Sequence, residues 1–211
     1  MANSPMHLAF DLDGVLLDSE SDLGWLDRAL VDALEALGVE PTDEALEALY
    51  PPTVERIQAA AAELGLPAER LWQVRNDHYV EAKLAAMESG ELAPFDDVAA
   101  LDGLADRHDL HVISNSPERV VRAFVEGYGY EDLFDGQIGR AEGLEDLRRL
   151  KPDPHMYHQL VDELDGAAPA VYVGDTESDR AFAEATGMRF VHLTRDEQGV
   201  GTLRSLPGLL E

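Results

Sequence analysis

The sequence predicts an α/β protein in which a parallel sheet, covered on both faces by helices, is interrupted after its first strand by a separate helical unit. Three observations carry this. From Pro94 onward, short apolar runs alternate with amphipathic helical segments, the pattern that gives parallel strands joined by crossover helices. One more apolar run, His7-Leu8-Ala9-Phe10, stands alone near the start and suits a buried strand. Residues 18–90, between them, show helical spacing and no strand pattern. The expected division is therefore a core of residues 1–17 and 91–211 with a helical subdomain at 18–90.

Each element has a local reason. Leu23, Leu26, Leu30, Leu34 and Leu37 follow spacings of three and four and form one apolar stripe that stops at Gly38. Pro41-Thr42-Asp43-Glu44 opens a second helix ending near Tyr50, and Pro51-Pro52 breaks it. A third helix runs from about Val54 to Leu64, and a fourth from Leu71 to Ser89 after Gly65-Leu66-Pro67. Beyond Pro94, Asp97 to Arg107 reads as a helix and Leu110-His111-Val112-Ile113 as a strand. Pro117 to Tyr128 is a helix with proline at a tolerated early position. Gln137-Ile138-Gly139 gives a brief strand, and His155 to Leu164 a helix. Ala170-Val171-Tyr172-Val173 is a strand, Ser178 to Thr186 a helix, and Arg189 to Leu193 a last strand.

Composition limits the partners. The 211 residues are 45% hydrophobic, enough to bury a sizeable core. No apolar run is long enough to cross a bilayer, and Met1-Ala2-Asn3-Ser4-Pro5 shows no signal-peptide pattern. With no cysteine, thiol chemistry is excluded and a cytoplasmic protein is expected. Forty-three acidic residues against sixteen basic ones give a formal charge of −27, which disfavours nucleic acid and anionic membranes. The acids are dispersed, and Lys83 and Lys151 are the only lysines; this balance resembles proteins of salt-rich cytoplasm. Repulsion among these charges is relieved by screening, and the Debye length falls from roughly 10 Å at 0.1 M salt to about 3 Å at 1 M. The melting temperature is expected to rise as potassium chloride increases from about 0.1 M to about 3 M; a flat or falling series would end the high-salt reading.

Chemistry concentrates where strands end, the edge at which such sheets bind ligands. The first strand runs into Asp11-Leu12-Asp13-Gly14-Val15. Two carboxylates one residue apart at the end of a buried strand are costly unless paired or bound to a cation, and Gly14 permits a sharp change of direction. The Leu110 strand ends in Ser114-Asn115-Ser116, and the Ala170 strand in Gly174-Asp175-Thr176-Glu177-Ser178-Asp179. Lys151-Pro152-Asp153-Pro154 precedes the His155 helix. Each piece alone could be a turn or a helix cap. Together they bring carboxylates, a hydroxyl and an amine to one rim.

In order and spacing these residues, with Asp18-Ser19, resemble the haloacid dehalogenase-like hydrolase superfamily, in its branch with a small helical cap. The resemblance runs from about Met6 to Leu206. It implies a Rossmann-like core with the first strand central, a magnesium ion, and phosphoryl transfer through an aspartyl-phosphate. Asp11 would then be the nucleophile, and Asp13 the acid that protonates the leaving alcohol and later takes a proton from water. Crowding by other acids would keep Asp13 protonated. The resemblance assigns magnesium to the Asp11 side chain, the Asp13 carbonyl and Asp175, with Asp179 in an outer, orienting role. Ser114, the N–H of Asn115, and Lys151 would surround the phosphoryl oxygens. The expected partner is a small phosphorylated metabolite of phosphoglycolate or sugar-phosphate type.

Other readings use the same residues. A phosphomutase would protect the phospho-enzyme from water, a dehalogenase has no evident need of Asp13 or a metal, and a phosphoester-binding regulator would need none of the intact set. In the helical unit, Arg56, Arg75, His78 and Lys83 are polar groups that could reach a substrate. The motifs carry no information on oligomeric state.

Overall fold

The structure, a computed structural model, describes residues 5–195 and 201–210; the reading at Met1-Ala2-Asn3-Ser4 lies outside them. Five parallel strands form the central sheet in the order β5-β4-β1-β6-β7. They are β1 (His7–Phe10), β4 (Asp109–Pro117), β5 (Gly136–Arg140), β6 (Val171–Gly174) and β7 (Arg189–His192). The strand that ends in Asp11 is the central one, so its carboxyl end is flanked by those of β4 and β6. The arrangement is the α/β, Rossmann-like sheet that the sequence led us to expect.

The strands carry few charges because both of their faces are covered. Phe10, Val112 and Val173 pack into the larger core with Val121 and Phe124 of α6 (Glu118–Gly127). Ala9, Ile113 and Tyr172 face the other side, against Met156 and Leu160 of α7 (His155–Glu163) and Phe182 of α8 (Glu177–Thr186). Burying each large apolar side chain in these layers is worth roughly 1.5–3 kcal/mol.

Between β1 and β4 come α1 (Gly24–Ala36), α2 (Asp43–Leu49), α3 (Val54–Leu64) and α4 (Ala68–Ser89). Thr42 and Thr53 cap α2 and α3 through their hydroxyls. Gly65 ends α3 and Gly90 ends α4 in left-handed conformation, which glycine adopts without a Cβ penalty. Of the leucine stripe, Leu26, Leu30 and Leu34 are buried and Leu23, at the exposed helix start, is not. The segments that leave and re-enter the core, β2 (Leu17–Asp18) and β3 (Ala93–Pro94), pair with each other as an antiparallel ribbon.

Two sequence expectations are corrected. Asp97 to Arg107 is not one helix but a 3₁₀ turn, Val98–Leu101, followed by the short α5 (Asp102–Ala105). The Asp97 carboxylate is engaged by Arg195 at 2.8 Å and by the Leu203 N–H at 2.8 Å, so it does not cap a helix. The Leu110 strand continues through Pro117, with a register shift between Ser114 and Pro117. Leu203–Ser205 and α9 (Leu206–Leu210) complete the described chain. No helix among the described residues is long and apolar enough to cross a membrane.

Candidate active site

The turn after β1 brings the first acids to the rim. Leu16 and Leu17 donate their N–H groups to the Leu12 carbonyl, folding the chain back so that Asp11 and Asp13 both remain at the strand end. Gly14 has φ +72°, and a Cβ there would lie 2.2 Å from the Asp175 carboxylate. Glycine therefore serves twice, supplying the left-handed turn and leaving room for an acid from β6. Gly174 leaves room in the same way for Asp179, whose Cβ lies 2.4 Å from where a Cβ at position 174 would be.

Lys151 is the centre of the buried charge. Its ammonium donates to Asp11 Oδ1 at 2.9 Å, Asp179 Oδ1 at 2.6 Å and the Tyr172 hydroxyl at 2.7 Å. These three partners use all three ammonium protons, and the Lys151 side chain is 2% exposed. Asn115 does not point its amide into open space: its Oδ1 accepts from the Lys151 N–H at 2.7 Å and so fixes the loop that carries the ammonium. Ser178 adds a hydrogen bond to the Lys151 carbonyl. Asp179 is committed on both oxygens, since Oδ2 accepts from Thr176 Oγ1 at 2.6 Å in a reciprocal helix cap. It holds Lys151 rather than facing open space.

Asp11, Asp175 and Asp179 bring ligand atoms within 4.8 Å of one another. Burial, reinforced by the charges of Asp179 and Asp13, pushes the Asp11 carboxyl up to about 7 against the pull of Lys151. Burial and Asp179 raise Asp175 to about 6. For Asp179, burial acts upward but is outweighed by Lys151 and the Thr176 hydrogen bonds, and the carboxyl sits below its ordinary value. Oδ1 of Asp175 is buried and has no hydrogen-bond partner.

Asp13 differs from the sequence argument, which had neighbouring acids keeping it protonated. Lys83 of α4 reaches down to Asp13 Oδ1 at 2.5 Å, Ser19 donates to the same oxygen at 2.6 Å, and Ser116 donates to Oδ2 at 2.7 Å. Burial alone would raise its pKa, but the Lys83 charge and these three hydrogen bonds hold it below the usual carboxylate range. A cation supplied by the helical segment, seventy positions away in sequence, outweighs crowding.

These groups open into one cavity of about 310 Å³, lined among others by Asp11, Asp13, Ser114, Asn115 and Lys151. Asp175 faces an adjoining opening together with Gly14 and His192, and Glu20 borders both. Of the four polar candidates in the helical unit, Arg75 lines the cavity and Lys83 meets Asp13. Arg56 donates instead to the carbonyls of Glu47 and Tyr50, and His78 is not among the lining residues. Sequence reasoning missed Ser116, Tyr50, Tyr79 and Arg140, all of which line the cavity. Arg140 ends a strand, so the logic that picked Asp11 and Ser114 would have found it had β5 been read to its end.

A family model for haloacid dehalogenase-like hydrolases matches residues 8–193. A phosphoglycolate phosphatase of Cereibacter sphaeroides is 30% identical over 194 residues, covering 89% of this chain and 84% of that protein. One from Rhodospirillum rubrum is 31% identical over 206 residues, covering 89% and 78%. In fold, a haloacid dehalogenase-like family hydrolase of Streptococcus pneumoniae aligns over 97% of this chain and 90% of its own, with a TM-score of 0.64 at 20% identity. The chain therefore belongs to the haloacid dehalogenase-like hydrolase family.

Proposed function

We propose that the chain is a magnesium-dependent phosphatase that hydrolyses a small phosphorylated metabolite, of phosphoglycolate or sugar-phosphate type, through a phosphoryl group carried on Asp11. One observation above the others supports this: a buried carboxylate at the end of the central strand, bonded to a buried lysine, opens into a cavity sized for a small ester. The phosphatase relatives give the reaction class its support.

The donor set fits a hard divalent cation. Three acids share one small volume with a single lysine between them, Asp175 Oδ1 lacks a partner, and all the ligand atoms are oxygen, which magnesium prefers. Held by Asp11, Asp175 and the Asp13 carbonyl, the ion would offset carboxylate and phosphate charge together. Asp179 would act on Lys151, in keeping with both of its oxygens being engaged.

The residues then divide the work. Asp11 attacks phosphorus and takes the phosphoryl group, breaking the bond to the leaving oxygen. Ser114 and the Asn115 N–H steady the transferring oxygens, joined by the Lys151 proton that Asp11 releases once it bonds to phosphorus. Asp13 would deliver a proton to the leaving alcohol, one it takes from solvent when its contact with Lys83 opens; the Asp13 charge raises the Lys83 pKa, so Lys83 keeps its own proton and holds Asp13 in place. In the second half Asp13, held as an anion, accepts the proton of the water that attacks the aspartyl-phosphate. We read residues 18–90 as a cap subdomain over a core of 1–17 and 91–211. The paired β2 and β3 place both crossings side by side, and Lys83, Arg75 and Tyr79 of α4 close over the acids. Such closure excludes water from the phospho-enzyme until the alcohol departs.

The direct test is release of inorganic phosphate from a panel of phosphate esters with magnesium present. Release from none of them would overturn the reading. A pH series adds a second check. Asp11 and Asp175 hold protons up to about 7 and about 6, so protons compete with magnesium for them. Their raised values also mean that, without metal, their contribution to stability declines as pH climbs from the unfolded-state value towards 7. The rise in melting temperature on adding magnesium should therefore be small near about pH 5 and fully developed by about pH 8. A magnesium effect that is absent, or equal at both ends, would contradict the assigned site.

A further inference from the structure

Two arginines in the cavity have no part in the chemistry above. Arg75 of α4 is 1% exposed, and its Nε and Nη2 have no hydrogen-bond partner. Among the described residues, no carboxylate lies within ion-pair distance of it. Arg140, at the end of β5, is 5% exposed; its Nη2 donates to the neutral amide of Asn76 at 2.5 Å, and its Nη1 to the Ala141 carbonyl. The nearby acid Glu142 is already taken by Arg119, through bonds of 2.8 and 2.6 Å to its two oxygens.

The guanidinium groups are held in place rather than swinging. Arg75 lies 4.8 Å from the Tyr79 ring and 5.6 Å from that of Trp72, and Arg140 lies 5.1 Å over Trp72. Stacking explains their orientation but leaves Nε and Nη2 of Arg75 unused, and buried donors are rarely left so. Burial, together with repulsion from Arg140, lowers the Arg75 pKa to about 10, so its charge persists at neutral pH. Both guanidinium groups line the same cavity as Asp11 and Asp13. β5 is two strands from β1 in the sheet, about 10 Å at ordinary strand spacing, so Arg140 enters the cavity at a distance from the strand that carries Asp11.

We propose that Arg75 and Arg140 form a second anion subsite, one arginine from the helical segment and one from the sheet, which makes the favoured substrates phosphate monoesters bearing a further carboxylate or phosphate. This rests on the phosphatase reading and narrows it: neutral alcohols leave the guanidinium forks unpaired, whereas an oxyanion matches them with paired N–H···O bonds. Discrimination of this kind is steep because the penalty falls on buried polar groups left without partners.

The test compares kcat/KM within two pairs, phosphoglycolate against ethyl phosphate, and a sugar bisphosphate against the same sugar's monophosphate. The protein should favour the doubly anionic member of at least one pair by roughly 30-fold or more, and the pair that shows it identifies the second group as carboxylate or phosphate. Arg75→Gln should collapse that ratio to within about threefold, with Arg75→Lys keeping part of it. A ratio near one in both pairs would overturn the subsite, and so would a ratio unchanged in Arg75→Gln because both members slow alike. If the unaltered protein hydrolyses no ester, the phosphatase reading falls, and calorimetric binding of phosphoglycolate decides the subsite alone. Binding weakened by about tenfold or more in Arg75→Gln would sustain it, and equal affinity would overturn it.

Discussion

Asp11→Asn should lower kcat by about four orders of magnitude or more, because the amide keeps the shape of the side chain and loses the attacking charge. The fold should survive. Asp11 is buried and its carboxyl is raised to about 7, so the folded chain resists ionising it, and its contribution to stability is lost as pH rises from the unfolded-state value through 7. A neutral amide removes that cost. Lys151 keeps Asp179 and Tyr172 as partners. At about pH 8 and without metal, the variant should therefore melt no lower than the unaltered protein. A fall in turnover of less than about tenfold would remove Asp11 from the nucleophile's role.

The second large effect belongs to Lys151→Met. The ammonium holds Asp11 and Asp179 together, at side-chain exposures of 10% and 1%. Taking away one partner of a buried ion pair leaves uncompensated charge, which costs about 3–5 kcal/mol. The pH dependence follows from Asp179, whose carboxyl Lys151 draws down. A depressed carboxylate contributes stability above its unfolded-state pKa and loses it as pH falls. The deficit of Lys151→Met should be largest at neutral pH and shrink towards about pH 4, where the orphaned acids take up protons. Urea melts at the two pH values measure this, and a loss below about 1 kcal/mol at neutral pH would mean that the ammonium does not hold the cluster. Turnover should fall by roughly 10²–10³-fold from loss of a donor to the transferring oxygens.

What could be read in the sequence followed from local rules. The α3 helix runs from Val54 to Leu64 because Pro52 and Gly65 bound it and Thr53 caps it, and all of that lies within a few residues. Asp11, Ser114 and Asp175 stood out because a strand end is where a parallel sheet exposes chemistry. β5 was only partly legible, since two glycines dilute its pattern. Gly139 is needed because the Glu118 backbone lies 2.6 Å from where its Cβ would be, a constraint set by packing of α6. The state of Asp13 was misjudged for a related reason. Its partners include Lys83, seventy positions away, and no spacing rule links a helix in the insertion to the first turn of the core. The same distance hid the Arg75 and Arg140 pair, which meets only when the helical segment lies over the sheet.

The central claim is that phosphoryl transfer passes through Asp11, and a rapid-quench experiment tests it most directly. The protein is mixed with magnesium and an ester labelled in its phosphoryl group, quenched in acid within the first turnover, and digested for mass spectrometry. The account predicts a phosphoryl group on the peptide that contains Asp11, assigned to that side chain by fragmentation, and its absence from Asp11→Asn treated in the same way. Label on any other side chain, or inversion rather than retention of configuration at phosphorus with a chirally labelled ester, would contradict it.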